Sequence, residues 1–358
     1  MDRVYNFSAG PAAMPESALQ KAASEMLNYG GKGLSVMEMS HRSKMYLEIY
    51  DGVVARIKSL MKVPEGYAVL LLQGGAMLQF SAVAMNLMTG SGRADYVDSG
   101  NFAHGALVEA QKYGKVNVVA SSKGENYTRV PDIDPTKLDA GADYFYICTN
   151  NTIYGTRYTE IPKVSVPLVA DMSSNILSEE YDVSQFGVIF AGGQKNIGPA
   201  GVTLVIVKEE LCGKAMPLTP KVMDYALQVK NDSMLNTPST YSIYVAGLCL
   251  EWLEQQGGVS AMEKINIAKA NLIYDYLDNS ALFKGVAEVP WRSRMNATFR
   301  TGDPEKDDAF VKFAASQGLI NLKGHRAVGG IRASIYNAMP VEGVQALVNC
   351  MKQFEAQK

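Results

Sequence analysis

The chain of 358 residues is longer than one hydrophobic core usually organises, so two units with a cleft between them are expected. Its 34 basic and 36 acidic residues leave a net charge of -2, which excludes a general attraction to nucleic acid or an anionic membrane and requires any anion site to be local. No run approaches the ~20 apolar residues of a membrane span, Met1-Asp2-Arg3-Val4-Tyr5-Asn6 is no secretory leader, and Cys148, Cys212, Cys249 and Cys350 form no CxxC pair, so a cytoplasmic protein with reduced thiols and no metal site is expected.

From Pro15 to Tyr29 the pattern is helical, opened by proline and stopped by Gly30-Gly31. A second helix is expected from Lys44 to Met61. Short apolar runs then alternate with helical stretches: Ala68 to Leu72, Ala94 to Val97, Val116 to Ala120, Tyr144 to Cys148, Pro167 to Ala170, Val188 to Ala191 and Val202 to Val207. Several are rich in valine, isoleucine and tyrosine and are bounded by turn residues, as buried strands of an α/β sheet are. A long apolar helix from Ser239 to Gln256 runs into Gly257-Gly258, where the main domain boundary is placed. Another helix leads towards Tyr276. Beyond it, strands near Asn296 to Phe299 and Val328 to Ala333 alternate with helices near Pro304 to Gln317 and Pro340 to Phe354, a smaller α+β unit. The expected division is a large domain of residues 16–257 and a small one of 258–358, joined by the N-terminal segment 1–15.

Two strand ends carry the chemistry. Pro167 to Ala170 runs into Asp171, and Val188 to Ala191 delivers Lys195 through Gly192-Gly193-Gln194. Ligands of open parallel sheets bind beyond the carboxyl ends of strands, so the two charges can face one ligand. An amine able to form an imine and a carboxylate able to keep a pyridine nitrogen protonated are what a pyridoxal cofactor requires. Taken singly, Lys195 also reads as an exposed loop lysine and Asp171 as a turn or helix cap. Glycines crowd the turn between two apolar strands, however, and a merely solvated lysine needs no such confined backbone.

That turn, Ala191-Gly192-Gly193-Gln194-Lys195-Asn196-Ile197-Gly198-Pro199-Ala200-Gly201-Val202, resembles the lysine motif of the phosphoserine aminotransferases, in the class V branch of fold-type I pyridoxal enzymes. The likeness covers essentially the whole chain. It is carried also by Asn6 to Ala12, Met39 to Lys44, Asn150 to Gly155, Ala170 to Ser174 and Gly324 to Ser334. The resemblance implies a large domain built on a mainly parallel sheet, a smaller α+β domain, and pyridoxal 5'-phosphate held as a Schiff base by Lys195 with Asp171 at its ring nitrogen.

Leu70-Leu71-Leu72-Gln73-Gly74-Gly75-Ala76-Met77 reads as strand, glycine turn and helix start, a place that attracts phosphate. The same pattern is often only a tight turn. By resemblance, the amides of Ala76 and Met77 hold the cofactor phosphate, although relatives often carry a polar or basic side chain where Met77 stands. Phe102 takes the place of a tryptophan that stacks on the pyridine ring; it keeps the aromatic face and lacks the indole N–H. Thr152 and Gln194 are implied as further cofactor contacts. Asn236 and Thr237 could simply cap the helix that follows. In the family the matching pair reaches the cofactor of the other subunit, which implies a two-fold homodimer with shared active sites.

Two of the three histidines precede an arginine, in His41-Arg42 and His325-Arg326, and Arg332 follows. Arginine forks suit carboxylates and phosphates, which points to an anion pocket, although either dipeptide alone also fits a basic surface. By resemblance, Arg332 takes the α-carboxylate, while His41, Arg42, His325 and Arg326 hold the distal anion of glutamate, 3-phosphohydroxypyruvate or O-phosphoserine. A serine–glyoxylate type transaminase would not need that distal cluster. A dehydrogenase would need the G-x-G-x-x-G spacing that Gly74-Gly75 lacks, and a non-catalytic protein of this fold would take up no pyridoxal phosphate.

Overall fold

The computed structural model describes residues 3–357. The first half comprises β1 (Tyr5–Asn6), α1 (Glu16–Ser24), α2 (Lys44–Leu60), β2 (Tyr67–Leu72), α3 (Gly75–Leu87), β3 (Arg93–Asp98), α4 (Asn101–Ala110), β4 (Lys115–Ser121), β5 (Tyr144–Cys148), β6 (Asn150–Asn151) and β7 (Thr156–Arg157). There follow β8 (Leu168–Asp171), β9 (Val188–Gly192), β10 (Thr203–Lys208), α5 (Tyr225–Lys230), α6 (Thr240–Gln255) and α7 (Gly258–Asn279). The chain ends with β11 (Lys284–Gly285), β12 (Asn296–Arg300), α8 (Pro304–Ser316), β13 (Leu319–Ile320), β14 (Ile331–Ser334) and α9 (Val341–Glu355). No helix among the described residues is long and apolar enough to cross a membrane.

The central sheet has seven strands in the order β2-β10-β9-β8-β5-β3-β4, an α/β architecture. β10 runs antiparallel to both neighbours, and the other strands share one direction. Alternate residues of each strand feed opposite cores. On β10, Leu204 and Ile206 pack with α2 and α6, whereas Val205 and Val207 pack with α3 and α4. α2 shows how the sequence sets such a face. Ser43 caps it by accepting from the Tyr46 N–H at 3.3 Å, and Tyr46, Ile49, Tyr50, Val53 and Ile57 recur at helical spacing on its buried side.

A second sheet, in the order β11-β12-β14, is antiparallel and packs with α7, α8 and α9 around Phe283, Phe299, Phe310 and Leu347. The N-terminal segment lies on this side: β1 pairs with β13 through Tyr5 and Leu319, and Phe7 enters the same core. Lys269 of α7 is fully buried and donates to the carbonyls of Ile335, Tyr336 and Met339 at 3.1, 2.8 and 3.0 Å. Burial pushes its amine down to about 7.

Two boundaries depart from the expectation. The first helix stops at Ser24, not Tyr29. Asn28 accepts from the Gly33 N–H at 2.7 Å in a loop of its own, and Tyr29 turns edge-on against Tyr244 of α6, ring centres 5.6 Å apart. The strand expected from Val328 begins at Ile331, because Gly329 and Gly330 adopt φ of +69° and +67°, which a strand cannot continue through.

Candidate active site

A cavity of about 420 Å³ opens beyond the carboxyl ends of the shared-direction strands. Asp171 closes β8 and is 4% exposed. Its neighbour in register is Cys148, the last residue of β5, so the thiol and the carboxylate stand side by side in the cavity wall. The Asp171 carboxylate accepts from the Ser173 N–H at 2.9 Å. Burial lifts its pKa above the usual carboxylate value, while Ser173 and the Lys195 charge pull it back.

β9 delivers Lys195 through a turn whose shape demands glycine. A β-carbon on Gly193 would stand 2.8 Å from the Val202 carbonyl oxygen. The Lys195 and Gly198 N–H groups both donate to the Gly193 carbonyl, at 2.9 and 2.8 Å. The amine Nζ is therefore presented to the cavity, where it donates to Thr152 Oγ1 at 2.8 Å and sits 5.5 Å from the centre of the Phe102 ring. Burial lowers its pKa from the ordinary lysine value, against the pull of Asp171 and Cys148, and Arg332 lowers it further.

At the opposite wall α3 begins behind Gly74, whose φ of +93° leaves a β-carbon no room beside Leu78. No side chain caps this helix, so its first N–H groups face the cavity where Gly75, Ala76 and Met77 line it. Arg332 of β14 enters from the small sheet and donates to the Thr152 carbonyl at 3.3 Å. His325 lies beside it; burial and the charges of Arg332 and Arg326 lower its pKa.

The family profile of class-V aminotransferases matches residues 4–347. A phosphoserine aminotransferase of Bacillus cereus is 53% identical over 356 residues, covering 99% of both chains. Among solved structures, phosphoserine aminotransferase from Bacillus circulans subsp. alkalophilus superposes with a TM-score of 0.97 at 43% identity, over 100% of this chain and 99% of that one. PLP-bound phosphoserine aminotransferase from Trichomonas vaginalis does so with a TM-score of 0.94 at 41% identity, over 98% and 100%. The chain belongs to the phosphoserine aminotransferase family of class-V aminotransferases.

The donor set of this class-V aminotransferase fits pyridoxal phosphate on chemical grounds. It combines a buried carboxylate, a pKa-lowered amine, an aromatic ring and an uncapped helix start. Of the residues singled out from sequence, Ala76, Met77, Phe102, Thr152, Asp171, Gln194, Lys195, His325 and Arg332 line the one cavity. His41, Arg42, Asn236, Thr237 and Arg326 do not. His41 is half-buried with no partner for Nε2, and Arg42 is exposed ahead of α2. Asn236 and Thr237 are exposed ahead of α6, where the Thr237 carbonyl accepts from Gln73 Nε2 at 2.7 Å.

Ala9, Gly10, Cys148 and Asn150 also line the cavity, and pattern reading gave them no role. Cys148 could have been found from its place at the end of a strand beside Asp171. A wider hollow of about 830 Å³, bordered by His104, Lys123 and Arg300, lies beyond Ala327 and Val328 and contains neither Lys195 nor Asp171.

Proposed function

We propose that the chain transfers the amino group of glutamate to 3-phosphohydroxypyruvate, giving O-phosphoserine and 2-oxoglutarate, with the two substrates using one cavity in turn. The observation that carries this reading is that Lys195, Asp171, Arg332 and His325 line one cavity. Full-length identity to relatives named phosphoserine aminotransferase supports it. A division at Gly257-Gly258 into domains 16–257 and 258–358, with segment 1–15 joining the second, is part of the proposal; β1 pairing with β13 supports it. Met1, Asp2 and Lys358 lie outside the described residues.

When bound, pyridoxal phosphate supplies a carbon that holds the amino group between the half-reactions and a ring that withdraws electrons from the substrate Cα. Lys195 would anchor the group, and once displaced by the substrate amine its Nζ would take the proton from the substrate Cα as general base and deliver it, as general acid, to the cofactor carbon that receives the amino group. A pKa held down by burial suits both duties. Asp171 keeps a proton on the ring nitrogen, Phe102 covers one face of the ring, and the amides of Ala76 and Met77 take the phosphate. Thr152 and Gln194 complete the cofactor's contacts.

Arg332 takes the α-carboxylate. His325 and Arg326, with His41 and Arg42, take the distal carboxylate or phosphate. His41, Arg42, Asn236 and Thr237 act in this proposal through a cytoplasmic homodimer, in which Asn236 and Thr237 reach the phosphate site of the other subunit. The exposure of Arg42, Asn236 and Thr237 outside the cavity of their own chain supports that placement, as does the 70% exposure of Met77. The test is the visible spectrum of the holoenzyme. Glutamate should abolish the long-wavelength band with release of 2-oxoglutarate, and phosphohydroxypyruvate should restore it. A band that recovers equally with glyoxylate would overturn the substrate assignment.

A further inference from the structure

Tyr336 lies in the loop after β14, almost wholly buried, and takes no part in the chemistry proposed above. Its hydroxyl donates to the Ala9 carbonyl at 2.8 Å and accepts from Asn296 Nδ2 at 3.1 Å. A phenol has one hydrogen; once that is given to Ala9, the oxygen can only accept, so the direction of both bonds is set. Asn296 is fixed in its turn. Its Nδ2 also donates to Ser334 Oγ at 3.0 Å, and its Oδ1 accepts from Asn150 Nδ2 at 2.9 Å. A buried amide with both its N–H groups and its oxygen engaged rotates away only by leaving polar atoms unpaired, which is costly.

What Tyr336 holds is the segment over the lysine. Ala9 and Gly10 form one wall of the cavity, and Gly10 faces the Lys195 stem across a gap that a single β-carbon would fill, at 3.5 Å from Lys195 Cγ and 3.8 Å from Cε. The other end of the segment is tied where the Ala12 N–H donates to the Gln194 carbonyl at 2.9 Å. The Tyr336 loop is tied to the lysine turn as well, since the Asn337 N–H donates to Asn196 Oδ1 at 3.0 Å.

We infer that Tyr336, oriented by Asn296, is a positioning residue that clamps Ala9-Gly10 over the methylene stem of Lys195 and keeps the amine aimed and shielded from water for proton transfer at the substrate Cα. This rests on Lys195 being the cofactor-bearing amine. The clamp joins the second sheet to the lysine turn through a backbone carbonyl, which no substitution at position 9 removes.

The test compares two holoenzyme variants, each losing one tyrosine hydroxyl. Tyr336→Phe removes the clamp and leaves in place Asp171, Cys148 and Arg332, the ionisable groups that bear on Lys195. Tyr67→Phe removes a similar bond, from Tyr67 to the Phe186 carbonyl at 2.7 Å, at the far edge of the central sheet. Tyr336→Phe should lower kcat on the order of tenfold with KM for glutamate within about twofold. It should also raise the pH midpoint of the visible absorption change, which reports the proton on the imine nitrogen that Lys195 supplies, as water reaching that nitrogen favours its charged form. Tyr67→Phe should lose stability and move neither. A Lys195-dependent band with an unchanged midpoint and kcat in Tyr336→Phe, or equal changes in both variants, overturns the clamp alone. A band that survives Lys195→Ala overturns the reading of Lys195 and the clamp with it.

Discussion

Lys195 and Asp171 share a cavity and feel each other's charge, yet they form no ion pair. The Lys195 amine donates instead to Thr152, and the Asp171 carboxylate accepts from Ser173. The acid and the base are thus held apart, each free to serve a different end of one ligand.

That separation makes Asp171→Asn informative. Asp171 raises the pKa of the Lys195 amine, and the same negative charge favours a proton on the imine nitrogen that Lys195 supplies in the holoenzyme, so its neutralisation should disfavour that proton. The pH midpoint of the holoenzyme's visible band is expected to move down. Single-turnover proton removal should slow on the order of 100-fold, with little change in glutamate binding. An unmoved midpoint would show that the carboxylate does not act on the lysine.

The distal anion cluster should separate substrates by charge. Arg42→Ala and Arg326→Ala each remove a charged hydrogen bond worth roughly 1.5–3 kcal/mol, or about 10- to 150-fold in kcat/KM for glutamate and O-phosphoserine. Alanine has no distal charge and should react as in the parent enzyme. Steady-state kinetics with all three amino acids checks this; equal losses would point to a folding or cofactor defect.

If His325 meets the distal anion as proposed, anion binding should depend on pH. Burial and the Arg332 and Arg326 charges hold its pKa below the ordinary histidine value, and a bound carboxylate would offset them and raise it. Between the free and bound values, binding must therefore take up a proton; above the bound value the imidazole stays neutral and the uptake vanishes. Calorimetry with glutarate in buffers of different ionisation heat should show uptake on the acidic side, between the free and bound pKa values, and none at alkaline pH. His325→Gln should abolish the uptake.

The proposed sharing of sites between subunits can be tested by complementation. Thr237→Glu would set negative charge beside the partner's cofactor phosphate, so this variant and Lys195→Ala should each be nearly inactive. Co-refolded in equal amounts, half the dimers carry one intact site, and roughly a quarter of parental activity should return. No recovery would place Thr237 and Lys195 at the same site of one chain.

Much of this was legible in the sequence because it is local. Val188 to Ala191 followed by two glycines can only be a strand breaking into a tight turn, so Lys195 falls at a strand end; Pro167 to Asp171 reads the same way. What escaped depends on pairing between distant segments. Cys148 joins the cavity because β5 lies beside β8, and Tyr336 reaches Ala9 because the second sheet folds against the N-terminal segment. The early end of α1 was hidden for a similar reason, since Tyr29 is taken by Tyr244 far along the chain. Arg42 and Thr237 carry a readable chemical type, whereas their proposed use depends on a surface that no local pattern encodes.

The buried amine of Lys269 has a practical consequence. Acylating reagents attack neutral, solvent-reachable amines, and Lys115 and Lys123 are examples of lysines exposed at the surface. Lys269 cannot react until α7 parts from the carbonyls that follow β14. Its slow acylation, followed by mass spectrometry of the peptide that contains it, would therefore time the opening of that joint in an otherwise folded population.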